Sequence, residues 1–591
     1  MSTATVTGPP HLHPGADVRL RVRDLRATFS AAGLHRQVVS GVSFDLLAGQ
    51  CVAIVGESGS GKSVTARSLV GLVGRGGEVQ AETLELYGED TRRFRAGDWR
   101  RLRGRHIGFV LQDALVSLDP LRSVRAEIGE ALRVHGWGDR AARSRRIIEL
   151  LTRVGVPLPH TRARQRPGQL SGGLRQRALI ASAIALDPGI VIADEPTTAL
   201  DVTVQAQVLA ELESMKQRGA SLLLISHDLS VVAQLADHIL VMQQGRVLEQ
   251  GPAAAVLGTP SHDYTRALIA AVPGEHTRGR PLSPGSAPLQ RERRAAHGAD
   301  PVIEAAGLVK RFAGPDGSVT SAVRDVSFTL APGETLGIVG ESGSGKSTTA
   351  RLVLGLERLD AGAVRLLGEP WSALPERRRR ALRPRISVVY QDPLSSFDPR
   401  WTVERILLDA LPREDRTSST ARRARLLELL ALVDLDPELL GRFPLRLSGG
   451  QRQRVSIARA LAPRPSVVVL DEAVSALDVT IQAQILDLLA RLQHTTGVSY
   501  LFISHDLGVI SHVSDRILVM KDGAVVEQGT PHEIFGSPQH PYTRQLVASI
   551  PEFDPASLTR APLETADPID LTADARAVPS IRPRPATEVL S

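Results

Sequence analysis

The sequence predicts an α/β protein made of two tandem copies of one phosphate-loop unit. Three observations carry this. The octapeptide GESGSGKS stands at 56–63 and again, letter for letter, at 340–347. Further motifs recur after it in the same order in each half. Short apolar runs ending in Gly, Asp or Ser (CVAIVG, TLGIVG, IVIAD, VVVLD, LLLIS, LFIS) recur as well. Runs of that length suit strands buried on both faces, the pattern of a parallel sheet.

The first run, CVAIVG (51–56) or TLGIVG (335–340), leads into the octapeptide, after which a helix is expected. Next come VLQDALVSLDP (110–120) and VYQDPLSSFDP (389–399). The period then turns helical: RAARSRRIIELLTRVGV (140–156) and ARRARLLELLALVDL (421–435) put Leu and Ile on one face and Arg on the other. Those arginine faces read as solvated surface rather than a nucleic-acid contact. LSGGLRQR (170–177) and LSGGQRQR (447–454) follow, then IVIADEPTTALD (190–201) and VVVLDEAVSALD (467–478), then LLISHDL (223–229) and LFISHDL (501–507). The second copy trails the first by 284 residues at the octapeptide lysine, 279 at the glutamine, 277 at the LSGG serine and 278 at the histidine. So small a drift means one fold duplicated in order. A solenoid would repeat every ~20–50 residues.

Residues 274–301 are rich in Pro, Gly, Ser and charge and read as a flexible linker. The expected division is a disordered N-terminus (1–16), a first unit (17–273), the linker (274–301), a second unit (302–552) and a disordered tail (553–591). An α/β core with an inserted helical lobe in each unit gives four compact bodies, in line with 591 residues.

Composition narrows the chemistry. Net charge is +7 and apolar residues make up 42%, enough for real cores. Cys51 is the only cysteine, so no disulfide framework, zinc finger or iron–sulfur cluster can form within the chain. No signal peptide is expected at the N-terminus, and no apolar run approaches a membrane span. Only five residues are lysine against 66 arginines, and Lys62 and Lys346 are two of the five. These positions therefore call for a compact ammonium, not a planar guanidinium.

GESGSGKS fits the phosphate-loop pattern. Gly56, Ser58, Gly59 and Gly61, with Gly340, Ser342, Gly343 and Gly345, can turn backbone N–H groups toward phosphate oxygens. Lys62 and Lys346 reach the β- and γ-phosphates, and Ser63 and Ser347 offer hydroxyls to Mg²⁺. Asp194 and Asp471 end apolar strands and suit Mg²⁺, while Glu195 and Glu472 can orient and deprotonate water. Gln112 and Gln391 can coordinate Mg²⁺ or water. His227 and His505 can bond the γ-phosphate and steady the glutamate. Ser171, Gly172 and Gly173, with Ser448, Gly449 and Gly450, open helices with free N–H groups, a ready anion site that serves no purpose in its own copy's phosphate loop.

Together these motifs resemble the ATP-binding cassette (ABC) ATPases over residues 17–552. The resemblance implies RecA-like parallel-sheet cores, each with an antiparallel β part and a helical subdomain, binding ATP and Mg²⁺. It also implies an intramolecular pair of cassettes facing head to tail. Lys62, Ser63, Gln112, Asp194, Glu195 and His227 then share one ATP with Ser448–Gly450. Lys346, Ser347, Gln391, Asp471, Glu472 and His505 share the other with Ser171–Gly173. Phe29 and Phe312 are the implied adenine-stacking aromatics. Leu174 stands where Gln is commoner, and Ala473 stands where the first copy has Pro196.

HDYTRALIAAVP (262–273) and HPYTRQLVASIP (540–551) are similar to stretches of the oligopeptide/dipeptide importer ATPases. That likeness implies an energy-coupling ATPase at the cytoplasmic face of the membrane, working with two integral-membrane permeases and an extracytoplasmic solute-binding protein. No nucleic-acid partner and no iron–sulfur cluster are implied. An exporter ATPase, an importer ATPase for nickel chelates, opines or sugars, and a soluble twin cassette acting on ribosomes or DNA remain alternatives.

Overall fold

The computed structural model describes residues 17–31, 34–112, 117–197, 200, 202–284, 300–313, 319–475 and 477–549. The expected disordered N-terminus (1–16), most of the expected linker (285–299) and the expected disordered tail lie outside those residues.

Each half builds a six-stranded sheet with one strand order. In the first half Cys51–Val55 lies between His238–Gln243 and Ser221–Ile225; Ile190–Asp194 and Ile107–Val110 follow outward, and Arg246–Pro252 closes the other edge. In the second half Thr335–Val339 takes the place of Cys51–Val55, beside Ser499–Ile503, Val467–Asp471 and Ile386–Val389 on one side and Arg516–Lys521 and Ala524–Gly529 on the other. Pairing is parallel except at the last strand. All six runs named from the sequence are strands here, and Cys51–Val55, Thr335–Val339, Ser221–Ile225 and Ser499–Ile503 are buried along their whole length.

A second, antiparallel sheet covers each core: five strands led by Val18–Ala31 and Leu34–Leu47, and three led by Ile303–Ala313 and Val319–Leu330. The helical lobes lie where the period changes. Helix Arg140–Arg153 and the residue after it bury Ile147, Leu150, Leu151 and Val154; Ser419–Leu432 and its successor bury Leu426, Leu429, Leu430 and Val433. The spacing i, i+3, i+4, i+7 is one helix face. Arg140, Arg145, Arg422 and Arg423 are exposed as expected, but three arginines of these helices are paired instead. Arg146 and Arg153 pair with Asp187, and Arg425 pairs with Glu428 and Asp415.

The halves touch. One apolar cluster contains side chains of both. Residues 275–283 lie along the second half: Thr277 Oγ1 is 3.0 Å from His512 Nδ1, and the Leu282 and Ser283 amides donate to Asp487 at 3.0 and 2.8 Å. Among the described residues no helix is long and apolar enough to cross a membrane.

Candidate functional site

Strand, loop and helix set the octapeptide. Gly56 and Gly340 have φ of 144° and 149°, and a Cβ on either would sit 2.1 Å from the carbonyl oxygen of Met242 or Met520. Only glycine fits so close a backbone approach. Helices Lys62–Ser68 and Lys346–Val353 begin at the lysines. Both lysines are 5% exposed. Lys62 Nζ donates to the carbonyls of Gly56 and Glu57 at 2.7 and 2.9 Å; Lys346 Nζ does the same to Gly340 and Glu341. Burial pulls the Lys62 ammonium below its ordinary pKa, against the opposing pull of Glu195, Asp478, Asp194 and Glu57. Asp478 belongs to the other half.

Beside the loop, Ser63 Oγ donates to Asp194 Oδ1 at 2.9 Å, and Ser347 Oγ to Asp471 Oδ1 at 3.0 Å. Burial raises both aspartates above the usual carboxylate range. Asp194 is fully buried, and among the described residues its Oδ2 has no hydrogen-bond partner. A buried carboxylate oxygen without a donor, beside a serine hydroxyl, is an oxygen-rich setting that fits Mg²⁺.

Glu195 and Glu472 follow these aspartates with φ of 50° and 51°, strained for a non-glycine residue. Their amides donate to Ile225 and Ile503 at 2.9 Å, which fixes the turn. Gln112 Nε2 donates to Glu195 Oε2 at 2.8 Å, and His227 Nδ1 lies 3.2 Å from Oε1. In the second half Gln391 Nε2 donates to Glu472 Oε2 at 2.7 Å, and His505 Nδ1 is 3.5 Å from Oε1. Burial would raise the Glu195 carboxyl, but the hydrogen bond and charge of His227, then Gln112 and Lys62, hold it down at about 2. Burial likewise presses the His227 imidazolium down, and the hydrogen bond and charge of Glu195 more than offset it, leaving its pKa raised. The structure thus brings the lysine, serine, glutamine, Asp-Glu pair and histidine of each half to one place.

LSGG opens a helix in both halves, Gly172–Ala183 and Gly449–Leu461. Ser171, Gly172, Ser448 and Gly449 are exposed. Ser448 Oγ accepts from Gln451 N at 3.2 Å while Gln451 Oε1 accepts from Ser448 N at 3.0 Å, a reciprocal capping box. Leu174 cannot return that bond, and only Leu174 N to Ser171 Oγ remains, at 3.4 Å. Leu174→Gln is therefore expected to stabilise the first half by about 0.5–1 kcal/mol, read as a higher thermal midpoint.

A residue of each half reaches the other half's octapeptide. A Cβ on Gly450 would lie 2.8 Å from Ile481 Cγ2. The adjacent Thr480 donates to Glu57 Oε1, in the first octapeptide, at 2.8 Å. Reciprocally, Gly173 faces Leu200, and Thr203 donates to Glu341 Oε1 at 3.2 Å.

Phe29 is half-buried near the end of the strand Val18–Ala31, paired with Arg36 of the neighbouring strand. Phe312 is 41% exposed, with Lys310 Nζ 5.3 Å from its ring centroid. Sequence reasoning gave no site role to Glu57, Glu341, Thr203 and Thr480. It noticed the HDYTR and HPYTR stretches only as a likeness. Yet Tyr264 and Tyr542 accept from the Glu57 and Glu341 amides at 3.1 Å. A strict repeat of the tyrosine in both copies was the available signal.

The chain is similar to known proteins over both halves. The pattern described as ABC transporter matches residues 39–198 and 323–475. The pattern described as oligopeptide/dipeptide transporter, C-terminal region, matches 248–298 and 526–575. The glutathione import ATP-binding protein GsiA of Escherichia coli (strain K12) is 41% identical over 568 residues, covering 91% of this chain and 90% of that protein. GsiA of Pectobacterium atrosepticum is 40% identical over 576 residues, covering 93% and 92%. A solved dimeric bacterial ABC transporter cassette, MJ0796, is 28% identical, with a TM-score of 0.35 over 39% of this chain and 98% of that one.

The chain belongs to the ABC transporter family. Within it, this is a twin-cassette ATPase of the oligopeptide/dipeptide type, with the C-terminal region of that type after each cassette.

Proposed function

We propose that the chain is the energy-coupling ATPase of a peptide importer, docked on two integral-membrane permeases at the cytoplasmic face and served by a solute-binding protein. The observation that carries this is the peptide-transporter C-terminal region placed after each of two complete ATP-binding cassettes. The import role in the name of GsiA supports it, and makes glutathione and other short peptides the first cargo to try.

In this reading each ATP enters an octapeptide. Lys62 or Lys346 leaves its loop carbonyls for the phosphates. Ser63, Gln112 and Asp194, or Ser347, Gln391 and Asp471, hold Mg²⁺, which screens phosphate charge when bound. Glu195 or Glu472 aligns the attacking water for in-line displacement. His227 and His505 exchange a glutamate partner for the γ-phosphate, releasing the carboxylate to accept a proton. Phe29 and Phe312 face adenine. The LSGG of the opposite half covers the triphosphate from the other side, a pairing supported by the Thr480–Glu57 and Thr203–Glu341 contacts.

A strain without the chain is expected to lose uptake of labelled di- and tripeptides, glutathione included. Wild-type protein should restore uptake, and the Glu195→Gln, Glu472→Gln double variant should not. Unchanged peptide uptake together with co-sedimentation on ribosomes would favour the soluble twin-cassette alternative.

A further inference from the structure

The HDYTR and HPYTR stretches are built the same way in both halves. The Glu249 carboxylate accepts from the amides of Ser261 and His262 at 2.7 and 3.1 Å; Glu527 accepts from those of Gln539 and His540 at 2.7 and 3.0 Å. His262 Nδ1 accepts from the Tyr264 amide at 3.0 Å, and His540 Nδ1 from that of Tyr542 at 3.1 Å, so each imidazole caps the next helix. Thr265 and Thr543 are buried beneath. Arg266 donates to the carbonyls of Pro260 and Ser261, and Arg544 to those of Pro538 and Gln539, tying down the turn. With the turn pinned at these points, the tyrosine has a fixed aim.

That aim is the second residue of the octapeptide. The Glu57 amide donates to Tyr264 Oη at 3.1 Å, and the Glu341 amide to Tyr542 Oη at 3.1 Å. The same two glutamates carry the bonds from Thr480 and Thr203 on their carboxylates, and their carbonyls accept from Lys62 and Lys346. Amide, carbonyl and side chain of one residue therefore join the C-terminal stretch, the phosphate-binding lysine and the opposite half.

We propose that Tyr264 and Tyr542 are positioning residues: each hydroxyl holds its own phosphate loop open for ATP and, through Glu57 or Glu341, ties that loop to the other cassette. This rests on the reading that ATP phosphates enter the octapeptides. Removing the hydroxyl leaves a loop amide without its acceptor, while Glu195, Glu472 and their partners stay in place. The penalty falls on nucleotide capture, not on the hydrolytic step.

The test uses the full chain with Tyr264→Phe and Tyr542→Phe together, measuring steady-state MgATP hydrolysis and thermal melting. KM for ATP is expected to rise about three- to tenfold, the loss of one hydrogen bond, with kcat falling less than about twofold. The thermal midpoint should move little. Adding Thr480→Val and Thr203→Val should raise KM by less than the product of the separate effects, because both bonds act through one glutamate. An unmoved KM, or a fall in kcat and melting temperature with KM unchanged, overturns the positioning role. Multiplicative effects overturn the tie between cassettes. Binding of a fluorescent ATP analogue to the Lys62→Ala, Lys346→Ala variant separates the two levels. Lost binding there with silent tyrosine changes refutes only the tyrosines, and retained binding refutes the loop reading beneath them.

Discussion

Replacing Glu195 and Glu472 together by glutamine is expected to lower ATP turnover about a hundredfold or more while ATP remains bound. Each carboxylate sits on a strained turn, held by a glutamine amide and a histidine. Glutamine keeps the size and one hydrogen bond but cannot take the water's proton. Binding of labelled ATP beside steady-state hydrolysis checks this, and hydrolysis at the wild-type rate would remove both glutamates as bases.

The same substitution reports on His227. Its pKa is raised because Glu195 outweighs burial, so without that charge burial prevails and the value should fall below 6.5. Imidazole proton shifts followed against pH measure it. For stability the signs are opposite for the two partners. The raised His227 contributes fully below its unfolded value of 6.5 and loses that contribution as pH rises through the folded value. The depressed Glu195 contributes above 4.5 and loses it as pH falls toward about 2. The stability gap between wild type and the Glu195→Gln variant should thus be widest between pH 4.5 and 6.5.

Much of this site was legible because its chemistry is local. The octapeptide, the Asp-Glu pair and the histidines each follow an apolar strand, and a parallel sheet delivers all its strand ends to one edge. That edge is where Lys62, Asp194 and His227 meet. The helical lobes were legible for a similar reason: Ile147, Leu150, Leu151 and Val154 state a helix face outright. Contacts that depend on how separate elements pack were not legible. Nothing about Thr480 in the sequence says that it reaches Glu57, 423 positions away. Tyr264 lies 207 positions from the amide it accepts. Arg146 and Arg153 look solvated in the sequence because an acidic partner of both, Asp187, belongs to a different segment. The antiparallel sheets came only from the family likeness, although Val18–Ala31 alternates apolar and charged residues (VRLRVR at 18–23), a period-2 strand signal interrupted by the register shift between Val22 and Leu25.

The pairing of the two halves makes the sharpest expected result. Ser448→Arg places a long cation at an exposed helix start in the second half, yet it should silence the site that holds Lys62 and Glu195. Ser171→Arg should silence the site of Lys346 and Glu472. The expectation follows from the proposed crossed pairing, which the contacts of Thr480 with Glu57 and of Thr203 with Glu341 across the halves support. The combinations discriminate. Ser448→Arg added to Glu195→Gln strikes one site twice, so the second change should cost little further hydrolysis. Ser448→Arg added to Glu472→Gln strikes both sites and should bring hydrolysis down to the level of the double glutamine variant. Each arginine variant also loses a helix cap worth about 1 kcal/mol, so Ser171→Ala and Ser448→Ala serve as stability-matched references in the same melts. If the dependence ran the other way, with Ser448→Arg redundant to Glu472→Gln, each half would serve its own nucleotide and the crossed assignment would be wrong.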